Sequence, residues 1–366
     1  MNRRHFLASA AVAATTLAIP RRAPATKTWI GYDKQIPEWM KEHSVAGASV
    51  AFLVDGRLAW SRAYGIADEK AKTPVTEATV FQGASLSKPV FAYAVLSFAA
   101  AGKFDLDRPL TSYLPNPYRS RFPRVMASEV PPDPRLDKIT PRIVLRHATG
   151  FPNWGRNKPL TISFEPGEKF GYSGEGYTYL QNVIEHVTGA PLEKFLQERA
   201  LAPLGMDSSS FVWRPDYDQR AAIGHNRQGP QEKWRPTSAF AAGTLHTTAT
   251  DYAKFLAAMI RPHRDGLNEA WLRRMLTPAS RIDDSLSWGL GWGIEKHSLG
   301  QFFWQWGDDG EFKAFAAGTR EPRGVSGKKA VVILTNSASG LRVCRPIIEH
   351  ALGGSHSFLS YSMVNY

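Results

Sequence analysis

Residues 47–54 form an apolar run, Gly-Ala-Ser-Val-Ala-Phe-Leu-Val, that stops at Asp55-Gly56, and a second apolar stretch follows from Leu58 to Tyr64. Asp-Gly between two such segments is a strong turn signal, so the pattern predicts a β-hairpin. Val90 to Ala101 is almost continuously apolar, rich in alanine, and closed by Gly102. Alanine and leucine favour helix and glycine stops it, so this run predicts a buried helix with Ser85 at its start. Shorter helices are predicted over Ile139–His147, ending before Gly150, and over Tyr177–Val187, stopped by Gly189. Another is predicted over Pro191–Arg199, where proline suits the first turn. Thr248 and Asp251 have capping-box spacing ahead of the periodic run Tyr252–Ile260. Strand composition returns at Phe312–Gly318 and Ala330–Thr335, and Leu341–Leu352 reads as a closing helix.

An early hairpin must find sheet partners, and the late strands are the ones available. The expected fold is therefore α+β: an antiparallel sheet flanked by helices, built from both chain ends, with a mostly helical lobe inserted between them. The expected sheet lobe covers about 26–100 and 245–366, and the helical lobe about 101–244. The Pro- and Arg-rich segment from Gly102 to Asp137 is expected to wind over the surface with short helices at most. No internal repeat and no low-complexity linker interrupts this plan.

The amino-terminal end changes the picture of where the protein works. Arg3-Arg4 precedes Phe6-Leu7, an alanine-rich apolar run extends to Ile19, and Ala23-Pro24-Ala25 offers a small-x-small cleavage pattern. The run is too short to span a bilayer, so residues 1–25 are expected to be a signal peptide of twin-arginine type, directing the protein to the periplasm or beyond. Those residues carry four arginines and no acids, so removing them lowers the formal charge from +12 to +8. The basic residues are scattered, which fits a solvated surface and not a nucleic-acid footprint. Cys344 is the only cysteine, so no internal disulfide forms and the fold must rest on its core.

Chemistry concentrates in Gly83-Ala84-Ser85-Leu86-Ser87-Lys88-Pro89. Positions i and i+3 of a helix share a face, so the Lys88 ammonium can reach the Ser85 hydroxyl. The helix N-terminus favours negative charge developing on Ser85, and Pro89 costs little where the first N–H groups lack partners. A second candidate is Gly171-Tyr172-Ser173-Gly174-Glu175-Gly176, a tight turn presenting Tyr172 and Ser173. Both stretches miss the G-x-S-x-G nucleophile elbow by one residue. The histidines form no zinc-type pair, no metal or other cofactor is expected, and His147 reads as a packing or capping residue. The aromatic cluster of Trp288, Trp292, Phe302, Phe303, Trp304 and Trp306 reads as core, with Trp306 a candidate pocket wall.

These stretches together resemble the serine β-lactamase and D,D-peptidase superfamily, in particular its class C branch of β-lactamases, D-aminopeptidases, penicillin-binding proteins and esterases. Thr79–Lys88 is similar to the family's nucleophile segment. Ile139–Gly150 is similar to its "LLtHtSG" segment, and Pro166-Gly167-Glu168 with Tyr172-Ser173 to its Tyr-x-Asn region. Leu106-Asp107, Tyr113-Leu114-Pro115 and Pro203-Leu204-Gly205-Met206 are further landmarks. The resemblance implies a β-lactamase/transpeptidase-like fold, Ser85 as the acylated nucleophile, and Lys88 as the group that either accepts its proton or lowers the pKa of a partner. It implies Tyr172 as a partner whose phenolate Lys88 favours. It also implies an oxyanion hole from the backbone N–H of Ser85 and of Asp308, the residue after the third motif Gln305-Trp306-Gly307. Two departures bear on substrate. Gln305 stands where the family often has Lys or His to meet a substrate carboxylate, and Gly174 where it has Asn to meet a substrate amide. Gly174, Gln305, Trp306 and Gly307 are therefore the candidate substrate-binding positions.

Two functions of different class follow. One is an exported serine hydrolase acting through an acyl-enzyme on esters, D-amino-acid amides or β-lactams, with small neutral esters favoured. The other is a non-catalytic periplasmic receptor of the same fold that binds peptidoglycan fragments or a protein partner. Covalent labelling of Ser85 separates them. The expected partner of the first is a small-molecule or peptide substrate, with no nucleic acid and no membrane span once the signal is gone.

Overall fold

The computed structural model describes residues 31–114, 132–155, 158–324 and 327–364. The proposed signal segment, and residues 115–131 of the Pro- and Arg-rich stretch, lie outside the described residues. The described parts of that stretch hold 3-10 turns at Leu110–Ser112 and Pro134–Lys138.

The chain opens with helix α1 (Tyr32–Glu42) and the hairpin β1 (Gly47–Val54) and β2 (Arg57–Asp68). Asp55 and Gly56 both take positive φ, +50° and +71°, the conformation a two-residue hairpin turn requires. Strands β3 (Thr73–Pro74) and β4 (Phe81–Ala84) lead into α2 (Ser87–Ala100). The middle of the chain carries α3 (Pro141–Leu145), α4 (Gly174–Thr188), α5 (Leu192–Leu196), α6 (Tyr217–Arg220), the short strands β5 (His225–Asn226) and β6 (Gly229–Pro230), β7 (Leu245–Thr247) and α7 (Ala249–Ile260). Then come α8 (Glu269–Leu276), β8 (Ser280–Arg281), β9 (Leu286–Trp288), β10 (Gly293–His297), β11 (Gly300–Asp309), β12 (Phe312–Pro322), β13 (Lys329–Thr335) and α9 (Leu341–Leu352).

Nine strands form one antiparallel sheet in the order β3-β2-β1-β13-β12-β11-β10-β9-β8. The early hairpin thus pairs with the last strand, as the shortage of other partners predicts. Helices cover both faces. Along β1, Ala48, Val50 and Phe52 face the layer of α1 and α9, while Ala51 and Leu53 face the layer of α2, α4 and α7. Burial on both faces is why the strand reads as a continuous apolar run and not as an alternation.

Helix α2 is buried almost all round, from Ser87 to Ala99 with only Ser97 half-buried. It packs against α5, the turn Gln197–Leu201 that follows α5, and α8, while α7 lies on the sheet; the small antiparallel pair β4–β7 sits at its N-terminus. Its predicted stop at Gly102 takes positive φ, +70°, as does Gly189 at the end of α4, +63°. Thr248 caps α7 by accepting from the Asp251 N–H at 3.1 Å. Among the described residues no helix is long and apolar enough to cross a membrane.

Candidate active site

The turn from β4 into α2 presents Ser85. Ala84, just before it, takes φ +46°, which for a residue with a Cβ costs about 1 kcal/mol or more. Ser87 holds that turn: its Oγ donates to the Ala84 carbonyl at 2.6 Å and accepts from the Leu245 N–H at 3.0 Å. Tyr252 of α7 adds a hydrogen bond to the Leu86 carbonyl at 3.2 Å. Ser85 itself remains half-buried, so its hydroxyl can be approached from solvent.

One turn on, Lys88 is fully buried, and its Nζ donates to Ser85 Oγ at 2.8 Å and to the Ala242 carbonyl at 2.9 Å. The rings of Tyr172, Trp154 and Tyr177 surround the Nζ at 5.0, 5.7 and 5.9 Å from their centres. Aromatic faces favour the cation, but no carboxylate pairs with it among the described residues, and burial brings its pKa down to about 7. Near neutral pH Lys88 is therefore part amine, with a lone pair 2.8 Å from the serine hydroxyl.

Tyr172 reaches the same point from the turn before α4. Gln305 Nε2 donates to its oxygen at 3.1 Å, and the Ser85 hydroxyl also hydrogen-bonds to it. Both bonds favour the phenolate, yet burial outweighs them and raises the Tyr172 pKa well above the ordinary tyrosine value. Burial thus acts against the expected Tyr172 phenolate, and on Lys88 it acts toward the neutral amine. His147 lies against the Tyr172 ring at 4.2 Å between centres. Its Nδ1 accepts from the Ser173 N–H at 3.0 Å, and burial with the nearby Lys88 charge holds its pKa well below the ordinary histidine value. It is a neutral packing residue, as its sequence context suggests.

The remaining candidates divide. Ser173 is the N-cap of α4: its Oγ accepts from the Gly176 N–H and donates to the Pro152 carbonyl, both at 2.9 Å. Gln305 is fully buried, and Nε2 spends its second hydrogen on the Trp306 carbonyl at 2.8 Å. Trp306 is 4% exposed, between Tyr172 and Tyr361 at 4.9 and 5.7 Å, which makes it interior more than wall. Gly307 permits a close approach: a Cβ there would sit 2.3 Å from the Gly83 carbonyl oxygen, so β11 packs directly on the serine turn. Asp308 follows Gly307 directly on β11, and its carboxylate pairs with Lys313.

Trp154 was missed by sequence reasoning: a Cβ on Gly174 would lie 2.2 and 2.3 Å from atoms of its indole. No spacing signal marks it. Two basic residues of the segment before His147 have partners of their own. Arg142 forms a two-pronged pair with Asp107 at 2.6 and 2.7 Å, and Arg146 donates to the Ala279 and Gly167 carbonyls at 3.0 Å. Two surface cavities, of about 510 and 820 Å³, are lined by other residues and do not include Ser85.

A family model described as Beta-lactamase matches residues 32–349. Esterase EstB of Burkholderia gladioli is 29% identical over 49% of this chain; the match spans 50%, about half, of that esterase's own length. A Beta-lactamase of Pseudomonas fluorescens is 25% identical over 73% of this chain and 74% of its own. The solved structure of a class C beta-lactamase superposes with a TM-score of 0.73 at 19% identity, covering 91% of this chain and 97% of that one, a likeness that shows the fold.

Proposed function

The chain belongs to the Beta-lactamase family, and from that premise we propose that it is an exported serine hydrolase that acylates Ser85 and prefers small neutral esters. The observation that carries the reading is the fully buried Lys88, with its pKa near 7, held 2.8 Å from Ser85 Oγ. The Lys88 amine takes the serine proton as Oγ attacks the ester carbonyl. The oxyanion is received by the N–H groups of Ser85 and Asp308. As the carbonyl re-forms, the leaving alkoxide takes a proton from Lys88 or through the neutral Tyr172 hydroxyl. Water then attacks the acyl-serine, giving up a proton by the same route, and returns Ser85 with the free acid.

Preference for neutral acyl groups rests on the cations. A charged donor facing a substrate carboxylate would contribute about 1.5–3 kcal/mol, roughly ten- to a hundredfold in specificity. Arg142 is paired with Asp107, Arg146 gives two of its N–H groups to the Ala279 and Gly167 carbonyls, and both N–H groups of Gln305 already have acceptors. Export rests on Arg3-Arg4 and the apolar run after it.

A fluorophosphonate probe should label Ser85 covalently, and kcat/KM for a p-nitrophenyl ester should exceed that for a chromogenic cephalosporin. Binding of a penicillin probe without any labelling would return the protein to the receptor class. A larger constant for the cephalosporin would overturn the neutral preference alone.

A further inference from the structure

We propose that Trp154 is the residue that selects the acyl group, by filling the space beside Lys88 that a side chain at position 174 would otherwise shape. The inference rests on the serine-hydrolase reading and deepens it. The loop that carries Trp154 is stitched to the start of α4. Gly174 N–H donates to Asn153 Oδ1 at 3.0 Å, the Glu175 carboxylate accepts from the Gly155 N–H at 2.9 Å, and Ser173 Oγ donates to the Pro152 carbonyl at 2.9 Å. These bonds fix the loop on both sides of the indole. They set it over Gly174, closer than any Cβ at that position would tolerate, and 5.7 Å from Lys88 Nζ. Phe240 backs the ring at 5.8 Å, and the indole is left half-buried beside the half-buried Ser85.

The wall so formed is flat and apolar. An unbranched alkyl or aryl acyl chain can lie against it and lose nothing. A polar acylamino arm on the carbon next to the carbonyl would have to shed its water against the six-membered ring of the indole, whose carbons lie over Gly174. Trp154 is thus a specificity-determining residue and takes no part in proton transfer.

The test uses two esters with one leaving group: p-nitrophenyl propionate and N-acetylglycine p-nitrophenyl ester. Trp154→Ala should raise the ratio of kcat/KM for the acylamino ester over the plain ester by about tenfold or more, and Trp154→Phe should raise it less. A change under threefold, in enzyme still labelled at Ser85 by a fluorophosphonate, overturns the role of Trp154 and leaves the hydrolase standing. Failure of the wild-type protein to label overturns both. A second measurement needs no activity: Gly174→Ala should lower Tm clearly in the wild type and much less in Trp154→Ala, because only the wild type presents the clash. Equal losses in the two backgrounds overturn the packing on which the inference stands.

Discussion

If Lys88 is the base, its ionisation should be visible in both stability and rate. Burial takes its pKa from the ordinary 10.5 to about 7. At 1.36 kcal/mol per unit, the native state disfavours the ammonium by about 5 kcal/mol relative to the unfolded chain. The folded pKa is depressed, so this contribution to stability is full above 10.5 and is lost as pH falls toward 7. Within that window the unfolded chain carries a proton that the native chain lacks, and stability should rise by about 1.4 kcal/mol per pH unit. Lys88→Met removes the titration while keeping an unbranched side chain in the same space. Urea unfolding of wild type and Lys88→Met between about pH 7.5 and 9.5 should show their difference shifting by about 2–3 kcal/mol in favour of the wild type, with tyrosines and the other groups common to both chains cancelling in that difference. The groups that face Lys88 do not confuse the result: His147 is held neutral and Tyr172 is pushed upward in pKa. The same event should give kcat/KM for a neutral ester an acid limb with its midpoint near pH 7, the activity increasing as the amine forms. A pH-independent difference in stability together with a midpoint above 9 would mean that Lys88 stays a cation, and another group would have to take the serine proton.

Three further outcomes are expected. Ser85→Ala should abolish hydrolysis and covalent labelling with the circular-dichroism spectrum and Tm preserved; Ser173, spent on capping α4, cannot stand in for it, so a folded and active variant would refute the nucleophile. Tyr172→Phe should lower kcat by roughly 10²–10⁴ with KM little changed, and a fall of less than threefold would reduce Tyr172 to a wall. Gln305→Leu should cost about 1–3 kcal/mol in urea unfolding because the buried Trp306 carbonyl loses its partner; unchanged stability would show that the amide is not held there.

Much of the fold was legible because local signals agreed with the final packing. Asp55-Gly56 named the hairpin, Gly102 and Gly189 the helix ends, and Thr248 a cap, each through backbone chemistry that acts within a few residues. Strands β8 to β11 were not legible. Phe302 to Trp306 shows no period of two because β11, like β1, is buried on both faces. Helix α1 is obscured by Pro37 inside it, and α8 by a short, arginine-rich sequence. The serine and lysine were legible because three residues of helix spacing suffice to join them. Trp154 was not: it meets Gly174 from twenty residues away, through a loop whose course depends on the hydrogen bonds to α4.

The departures from the family pattern become coherent as packing. A side chain at 174 and an indole from residue 154 exclude each other, so the glycine and the tryptophan are two halves of one choice. Gln305 is turned inward in the same way: with both hydrogens given to Tyr172 and the Trp306 carbonyl, it acts on the phenol and not on a ligand. Its Oε1 is a buried acceptor with no partner among the described residues, and an acceptor gives a carboxylate nothing to bind. Gly307 has a different reason to be what it is. It lets β11 touch the Gly83 carbonyl, and a Cβ there would push β11 off the turn that carries Ser85; on the proposed mechanism that would also part the N–H groups of Ser85 and Asp308. On the proposed mechanism a substitution at 174 therefore acts on what the site accepts and one at 305 on the Tyr172 phenol, whereas one at 307 disturbs the seat of Ser85 itself.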